Sequence, residues 1–229
     1  MKKQSGKDKE IEVSFIIVNY NGGETLERAI RSIKEQNFSE DKREIILVDN
    51  NSGDGSADEF ADDKSITLIR SDENLGFAGG NNLGIDKSSG KYLALINNDV
   101  LLDRDWTRKI VSKMNSDYKI GIIGNEIFLR DTGIVWHGGA KIFFPGFVKH
   151  LNIKKESEMN FVNFASVMIR RDANVRFDEN FFMYYEDVDY CRQIMKKGLK
   201  IVYMPEAKSY HFIKPRRASA AEEYYINRN

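Results

Sequence analysis

Three acidic side chains within four residues, Glu186, Asp187 and Asp189, follow an aromatic run from Phe181 to Tyr185. Repulsion among neighbouring carboxylates, with burial behind Phe181 and Phe182, raises a carboxyl pKa toward the range useful to a general base. The same residues suit a helix start, with Asp187 as N-cap and Glu186 and Asp189 favouring the helix dipole. Both roles can hold at once. Asp99 ends a second promising stretch: the apolar run Tyr92 to Ile96 leads into Asn97, Asn98 and Asp99. A carboxylate held at a strand end can meet a hard divalent cation, whereas the plainer reading is a cap for the segment that begins at Asp103.

Polar, small residues recur in Asn19-Tyr20-Asn21-Gly22, Asp49-Asn50-Asn51-Ser52 and the stretch from Asn74 to Asn82. Singly, each is ordinary turn chemistry. Placed after successive strands of one open parallel sheet, they describe a pocket, because ligands bind outside the carboxyl ends of such strands. Asp49 with nearby amides can accept from the imide of a pyrimidine and bind ribose hydroxyls, and Gly79-Gly80 lets backbone approach a ligand at a helix start. The spacing is not G-x-G-x-x-G and lacks the lysine of a P-loop, which disfavours nicotinamide and ATP sites. His211 follows a strand and Pro205 and could return to a cation. His137 and His150 sit in the irregular middle of the chain, and a lone histidine is more often packed or solvated than a ligand.

The elements that must position these residues alternate as in a parallel sheet covered by helices. Apolar runs at Val13 to Val18, Ile45 to Val48, Ile66 to Ile69 and Tyr92 to Ile96 predict strands. Leu26, Ala29, Ile30 and Ile33 form one stripe of a helix over Glu24 to Gln36. Further helices are expected near Asp54, near Ala78 and over Asp105 to Asn115. In the second half, strands are expected at Ile120 to Ile123, Lys141 to Val148 and Asn160 to Ile169. A helix from Asp187 to Lys197 should stop at Gly198, and a last strand, Ile201 to Met204, should close at Pro205. The expected organisation is a leader over 1–12, a single domain over 13–212 and a basic, helical tail over 213–229. The domain divides into a first half, 13–103, which carries the candidate pocket, and a second half, 104–212, which carries the acidic cluster.

Composition narrows the classes. Thirty-five basic and 35 acidic residues cancel, so no global charge argues for nucleic acid. A single cysteine, Cys191, excludes an internal disulfide framework and fits a reducing compartment. No apolar run approaches the roughly 20 residues that span a bilayer. The expectation is a cytoplasmic protein, at most peripheral at the inner face of the membrane.

Taken in order, these motifs resemble the family 2 glycosyltransferases of the GT-A fold, and especially their rhamnosyltransferase-like branch. The resemblance runs from about Val13 to His211. It implies an α/β fold with a mostly parallel central sheet flanked by helices. It implies that Asn19 and Asn21, with Asp49, hold the nucleoside, and that Asn74, Gly76 and Asn82 line the donor site. Asn97-Asn98-Asp99 matches the family's Asp-x-Asp element, so Asp99 inherits the metal role, with Asn97 and Asn98 as donor contacts. Glu186-Asp187 matches the pair that supplies the catalytic base, assigned to Asp187, and His211 matches a histidine that completes the metal site in some relatives. Arg192 and Gly198 fall where the non-processive branch has them, and the Gln-x-x-Arg-Trp element of processive synthases is missing.

The implied activity is inverting, metal-dependent transfer of a sugar from a UDP- or dTDP-sugar donor to a hydroxyl of a glycan or glycolipid acceptor, with Mn2+ or Mg2+. Three rivals remain. A sugar nucleotidyltransferase should carry a glycine-rich loop with Arg and Lys where this chain has Asn19 to Gly23. A glycoside hydrolase could pair Asp99 with Asp187 but needs no nucleotide pocket. A binding module would keep the donor site without turnover.

Overall fold

The computed structural model describes residues 10–143 and 147–212. The first half runs β1 (Val13–Asn19), α1 (Glu24–Lys34), β2 (Arg43–Asp49), β3 (Ile66–Arg70), α2 (Gly76–Lys87) and β4 (Tyr92–Ile96). The second half runs β5 (Val100–Leu102), α3 (Trp106–Ser116), β6 (Ile120–Leu129), β7 (Val135–His137), β8 (Ala140–Phe143), β9 (Phe147–His150), β10 (Ser157–Met159), β11 (Ser166–Arg170), α4 (Glu186–Lys196) and β12 (Lys200–His211). Among the described residues the main sheet has the order β10-β12-β6-β11-β4-β1-β2-β3, with β5 on β12 and β7 on β6. Strands β4, β1, β2 and β3 are mutually parallel, and β11 runs antiparallel between β4 and β6.

Strand alternation divides the core into two layers. Phe15 and Ile17 of β1, Ile45 and Leu47 of β2, and Ala94 and Ile96 of β4 pack with Leu26, Ile30 and Ile33 of α1 and Trp106 and Ile110 of α3. Their neighbours Ile16, Ile46, Val48, Leu93 and Leu95 point the other way, toward Ala78 and Ile85 of α2 and Val188, Cys191 and Ile194 of α4. Both faces are covered, so these strands read as continuous apolar runs. Helix α1 begins with Glu24 and Glu27 and ends with Arg31 and Lys34, matching its dipole. Buried Arg43 closes its end by donating to the carbonyls of Ile33, Lys34, Gln36 and Phe38. Helix α2 lies close on the sheet because its glycines have no side chain there: a Cβ on Gly84 would run into Ile16.

Several expectations are corrected. No α-helix forms near Asp54, where a single 3-10 turn covers Asp58–Phe60. The Asp54 carboxylate instead accepts from the Gly23 and Ser56 backbones and the Ser56 hydroxyl, the kind of local bonding that competes with a helix. The expected strand Lys141 to Val148 is a hairpin of two strands. Of Asn160 to Ile169, only Phe161, in an isolated bridge to Ala140, and the residues from Ser166 onward are paired. Pro205 does not close the last strand. Strand β12 continues through it for 12 residues, because the register against β6 shifts between Met204 and Lys208, where a missing N–H costs no ladder bond. The leader through residue 9 and the tail from 213 lie outside the described residues. Ile11 and Glu12 already exchange backbone bonds with Lys42, Lys91 and Tyr92.

Beyond the shift, β12 is fastened from within the sheet. Asn125 of β6 donates to the Ser209 hydroxyl (2.8 Å) and accepts from Ser166 of β11 (2.9 Å), and the two hydroxyls lie 2.8 Å apart. All three side chains are buried, and a closed polar network of this kind specifies one register. Asn125→Ala should cost about 1–3 kcal/mol in chemical denaturation. Ser209→Ala should cost less, since Asn125 and Ser166 then keep each other. Equal costs would mean that Asn125 is not the hub.

Candidate functional site at the carboxyl edge

Asn19 ends β1 with its side chain buried and fully bonded. Its Nδ2 donates to the hydroxyls of Ser52 (3.1 Å) and Ser56 (2.9 Å), and its Oδ1 accepts from Asn98 Nδ2 (2.9 Å). Asn21, at φ 53°, donates its N–H to Ser52 and accepts from Gly53 N–H. Asp49 ends β2 beside it, accepting from Ser52 N–H (3.1 Å) and from the Arg70 guanidinium (2.8 Å), which also reaches Asp58 (2.7 Å). Each Asp49 oxygen retains a lone pair for a further donor.

Asn50 links this edge to α2. It accepts from Leu75 N–H and donates to Asn74 Oδ1 and to the Gly76 carbonyl, while Asn74 also accepts from Gly76 N–H. The structure thus brings Asn19, Asn21, Asp49, Asn74, Gly76 and Asn98 into one hydrogen-bonded rim. Asn82 is placed differently. Buried in α2, it bonds the backbone of Phe177 in both directions and the Glu179 carboxylate, which ties α2 to the second half of the chain. Asn50, Ser52, Ser56 and Arg70 complete the rim. Asn50 and Ser52 lie inside a segment the sequence had already marked, and Arg70 stands at a strand end on the same edge, a position that could have pointed to it.

Asn97 leaves β4 by donating its N–H to the Ala165 carbonyl (2.9 Å), and the turn it starts carries Asp99 outward. Pairing of His211 with Val100 across β12 and β5 then sets His211 against Asp99. Asp99 Oδ1 lies 3.0 Å from His211 Nε2. The two are not aligned as a hydrogen bond, and Asp99 Oδ1 and His211 Nδ1 are buried without a partner. A separation of this size is the edge between adjacent ligands of an octahedral ion at roughly 2.1 Å from each. These two atoms therefore fit a hard divalent cation. Among the described residues no cluster of three or more His, Cys, Asp or Glu accompanies them, so other oxygens would complete the shell, as is usual for an ion that binds phosphates. Trp136 lies against the His211 ring, 4.7 Å between centroids, and fixes its plane.

Helix α4 starts at Glu186, so Asp187 lies in its first turn rather than at the N-cap, which is Tyr185 and has no side-chain bond to the helix. This corrects the capping expectation. Burial, reinforced by the neighbouring Glu186 carboxylate, pushes the Asp187 carboxyl up to about 7, against the opposing bond from Val188 N–H. Burial also raises Glu186, whose Oε2 has no partner, while Asp189 accepts from Gln193 one turn on. Tyr184 and Tyr185 stand ahead of the helix in the left-handed region, φ 72° and 70°. For bulky residues this is strained backbone of the kind that clusters at functional sites. His137 is a core histidine, held neutral by a burial that pushes it down to about 3 and by its neighbour His150.

A parallel sheet with a polar carboxyl edge, an inserted antiparallel strand and an acidic loop crossing that edge is the GT-A glycosyltransferase arrangement. The solved structure of GalNAc-T7 with UDP, GalNAc and Mn2+ superposes at a TM-score of 0.77 with 17% identity, covering 90% of this chain and 45% of that one. S. aureus TarS 1-349 in complex with UDP superposes at 0.67 with 14% identity, covering 90% of this chain and 61% of that one. The sequence model of glycosyl transferase family 2 matches residues 14–177, and the chain belongs to that family. Glycosyltransferase AglE of Haloferax volcanii is 24% identical over 89% of this chain and 67% of its own length. The amylovoran biosynthesis glycosyltransferase AmsB of Erwinia amylovora is 24% identical over 90% and 71%. The chain therefore spans about two thirds of these curated relatives and less of the solved structures.

The Asp187 environment has a consequence for stability. A carboxyl whose pKa is higher folded than unfolded binds its proton more tightly in the native state. The fold therefore loses stability as pH rises from the ordinary 3.8 toward about 7. Asp187→Asn has no proton to lose. Its melting temperature should exceed that of the wild type above about pH 7, with the advantage shrinking toward pH ~4. A difference independent of pH would show that Asp187 titrates normally.

Proposed function

We propose that this chain is an inverting, non-processive, metal-dependent glycosyltransferase acting from a UDP- or dTDP-sugar on a hydroxyl of a glycan or glycolipid. The observation that carries the reading is the 3.0 Å contact of Asp99 Oδ1, buried without a hydrogen bond, with His211 Nε2, next along the chain to the Asn98 that bonds Asn19. GalNAc-T7, crystallised with UDP, GalNAc and Mn2+, and TarS, crystallised with UDP, support the donor class and the ion. AmsB and the succinoglycan biosynthesis protein ExoO of Rhizobium meliloti support a role in polysaccharide assembly. Arg192 and Gly198, which fall where the non-processive branch has them, support transfer of one sugar per encounter. The single domain is taken as 13–212, with donor and acceptor halves meeting near residue 103. Because no helix among the described residues is long and apolar enough to cross a membrane, contact with the inner, cytoplasmic face of the membrane would be peripheral.

In this reading Asp49 and Asn21 orient the base and ribose, and the Asn74–Gly76 turn brings backbone close to the sugar. Asp99 and His211 would hold Mn2+ or Mg2+. Such an ion, when bound there, would supply positive charge against that developing on a diphosphate leaving group. Asp187 accepts the proton of the acceptor hydroxyl as its oxygen bonds to the anomeric carbon and the bond from that carbon to the diphosphate breaks. Attack opposite the leaving group inverts the configuration. A base raised to about 7 is matched to this work near neutral pH.

Three measurements test the reading together. UDP or dTDP with manganese should raise the melting temperature more than adenosine diphosphate does, by the equivalent of ~2.7 kcal/mol at 100 times the dissociation constant. Asp99→Ala and His211→Ala should each remove the manganese-dependent part of that gain. Asp187→Asn should lower turnover by about 10²–10⁴-fold with donor affinity unchanged. An adenine preference, or manganese-independent binding in the wild type, would overturn the donor and metal assignments, and near wild-type turnover would move the base elsewhere.

A further inference from the structure

The ribbon of β8 and β9 is a sheet of its own, and its two faces differ. Ala140, Ile142 and Val148 pack on the core layer that contains Phe161 and Tyr203. Asn160 pins the ribbon there, accepting from Ile142 N–H (2.8 Å) and donating to its carbonyl (2.9 Å). The alternate residues Lys141, Phe143, Phe147 and Lys149 are all exposed, the two phenylalanines by 51% and 72%. Phe143 stands directly opposite Phe147, and Lys141 directly opposite Lys149. Neither lysine has an acidic partner among the described residues.

Like charges directly opposite destabilise a ribbon, and the aromatic pair, although favourable across the strands, leaves both rings in solvent as an apolar patch. A surface that is apolar and anionic at once relieves both. The two pairs are two residues apart, about 7 Å along the strands, so one contact patch holds an apolar part and a basic part side by side. A second copy of this face would bring four lysines together, and a soluble polyanion would leave the phenylalanines in water.

We propose that this face, Lys141, Phe143, Phe147 and Lys149, docks the protein on an anionic lipid bilayer, with the phenylalanines at the acyl boundary and the lysines at the phosphates. The proposal rests only on the membrane clause of the functional reading. Its test is co-sedimentation of the full chain with vesicles of phosphatidylcholine alone and of equal parts phosphatidylcholine and phosphatidylglycerol, at low and high salt. The wild type should favour the anionic vesicles and release as salt rises. Replacing both lysines by alanine should weaken partition roughly 30-fold, about fivefold for each. Phe143→Ser with Phe147→Ser should weaken it roughly tenfold or more. All variants keep the basic residues Lys214, Arg216 and Arg217, so variants that bind like the wild type would assign the contact to the tail and overturn the proposal. So would failure of the wild type to bind, or dimers in light scattering that only the variants lose. Manganese-dependent UDP binding, measured in parallel, should be the same in all three proteins. Its absence from a wild type that still docks would sink the catalytic reading alone.

Discussion

His211 meets Asp99 because β12 changes neighbours partway along its length. Its first residues pair with β6 and β10, and after the shift at Met204 to Lys208 its last ones pair with β6 and β5. A strand that slips by one residue turns every side chain to the opposite face. The size of this irregularity therefore decides whether His211 points at the carboxylate or away from it. Pro205 forces a break in the ladder, and the bonds from Lys109 to the Glu206 carbonyl and from Asp103 N–H to the Lys208 carbonyl hold the broken stretch in place. The buried Asn125, Ser166 and Ser209 then fix the register on the far side. These polar groups cost desolvation, which their mutual bonds offset, and what they secure is position rather than net stability.

A second constraint joins the two halves of the domain. Gly76 opens α2 at φ 68°, with the Phe182 carbonyl packed where a Cβ would stand, and Phe77 N–H donates to that same carbonyl. Six residues on, Asn82 grips Phe177 and Glu179. The loop that ends at Asp187 is thus mounted on the helix whose start belongs to the polar rim. Strain at Tyr184 and Tyr185, of order 1–3 kcal/mol each, is sustained by this mounting and by burial of Glu186. Two acidic side chains of the candidate site consequently meet opposite surroundings: Asp49 faces the Arg70 guanidinium, whereas Asp187 is half-buried with a second carboxyl, Glu186, for a neighbour.

Much of this was legible in the chain. The four parallel strands were apparent because strands buried on both faces must be apolar throughout, and α1 was apparent because Leu26, Ala29, Ile30 and Ile33 make one stripe. The rim could be read as polar residues at successive strand ends, since a parallel sheet directs those ends to one edge. The missed features have separate physical causes. β5, β7 and β10 span three residues each, too short for any period to register. The expected helix near Asp54 failed because side-chain bonds to local backbone outcompeted it. Asn82, a polar residue in a donor-like stretch, turned out to face Phe177 because helical rotation places it toward the second half of the chain.

The sequence by itself determined the fold class, the family and the kinds of side chain available at the edge, because those follow from local periodicity and from motifs whose order survives in the chain. Only the tertiary structure decided which of them meet. The 3.0 Å approach of Asp99 to His211 spans more than a hundred residues and depends on one irregular register. The elevated Asp187 carboxyl depends on what is packed around it. Distances between remote residues and the loss of water from a carboxylate are properties of packing, and packing is settled by the whole chain at once.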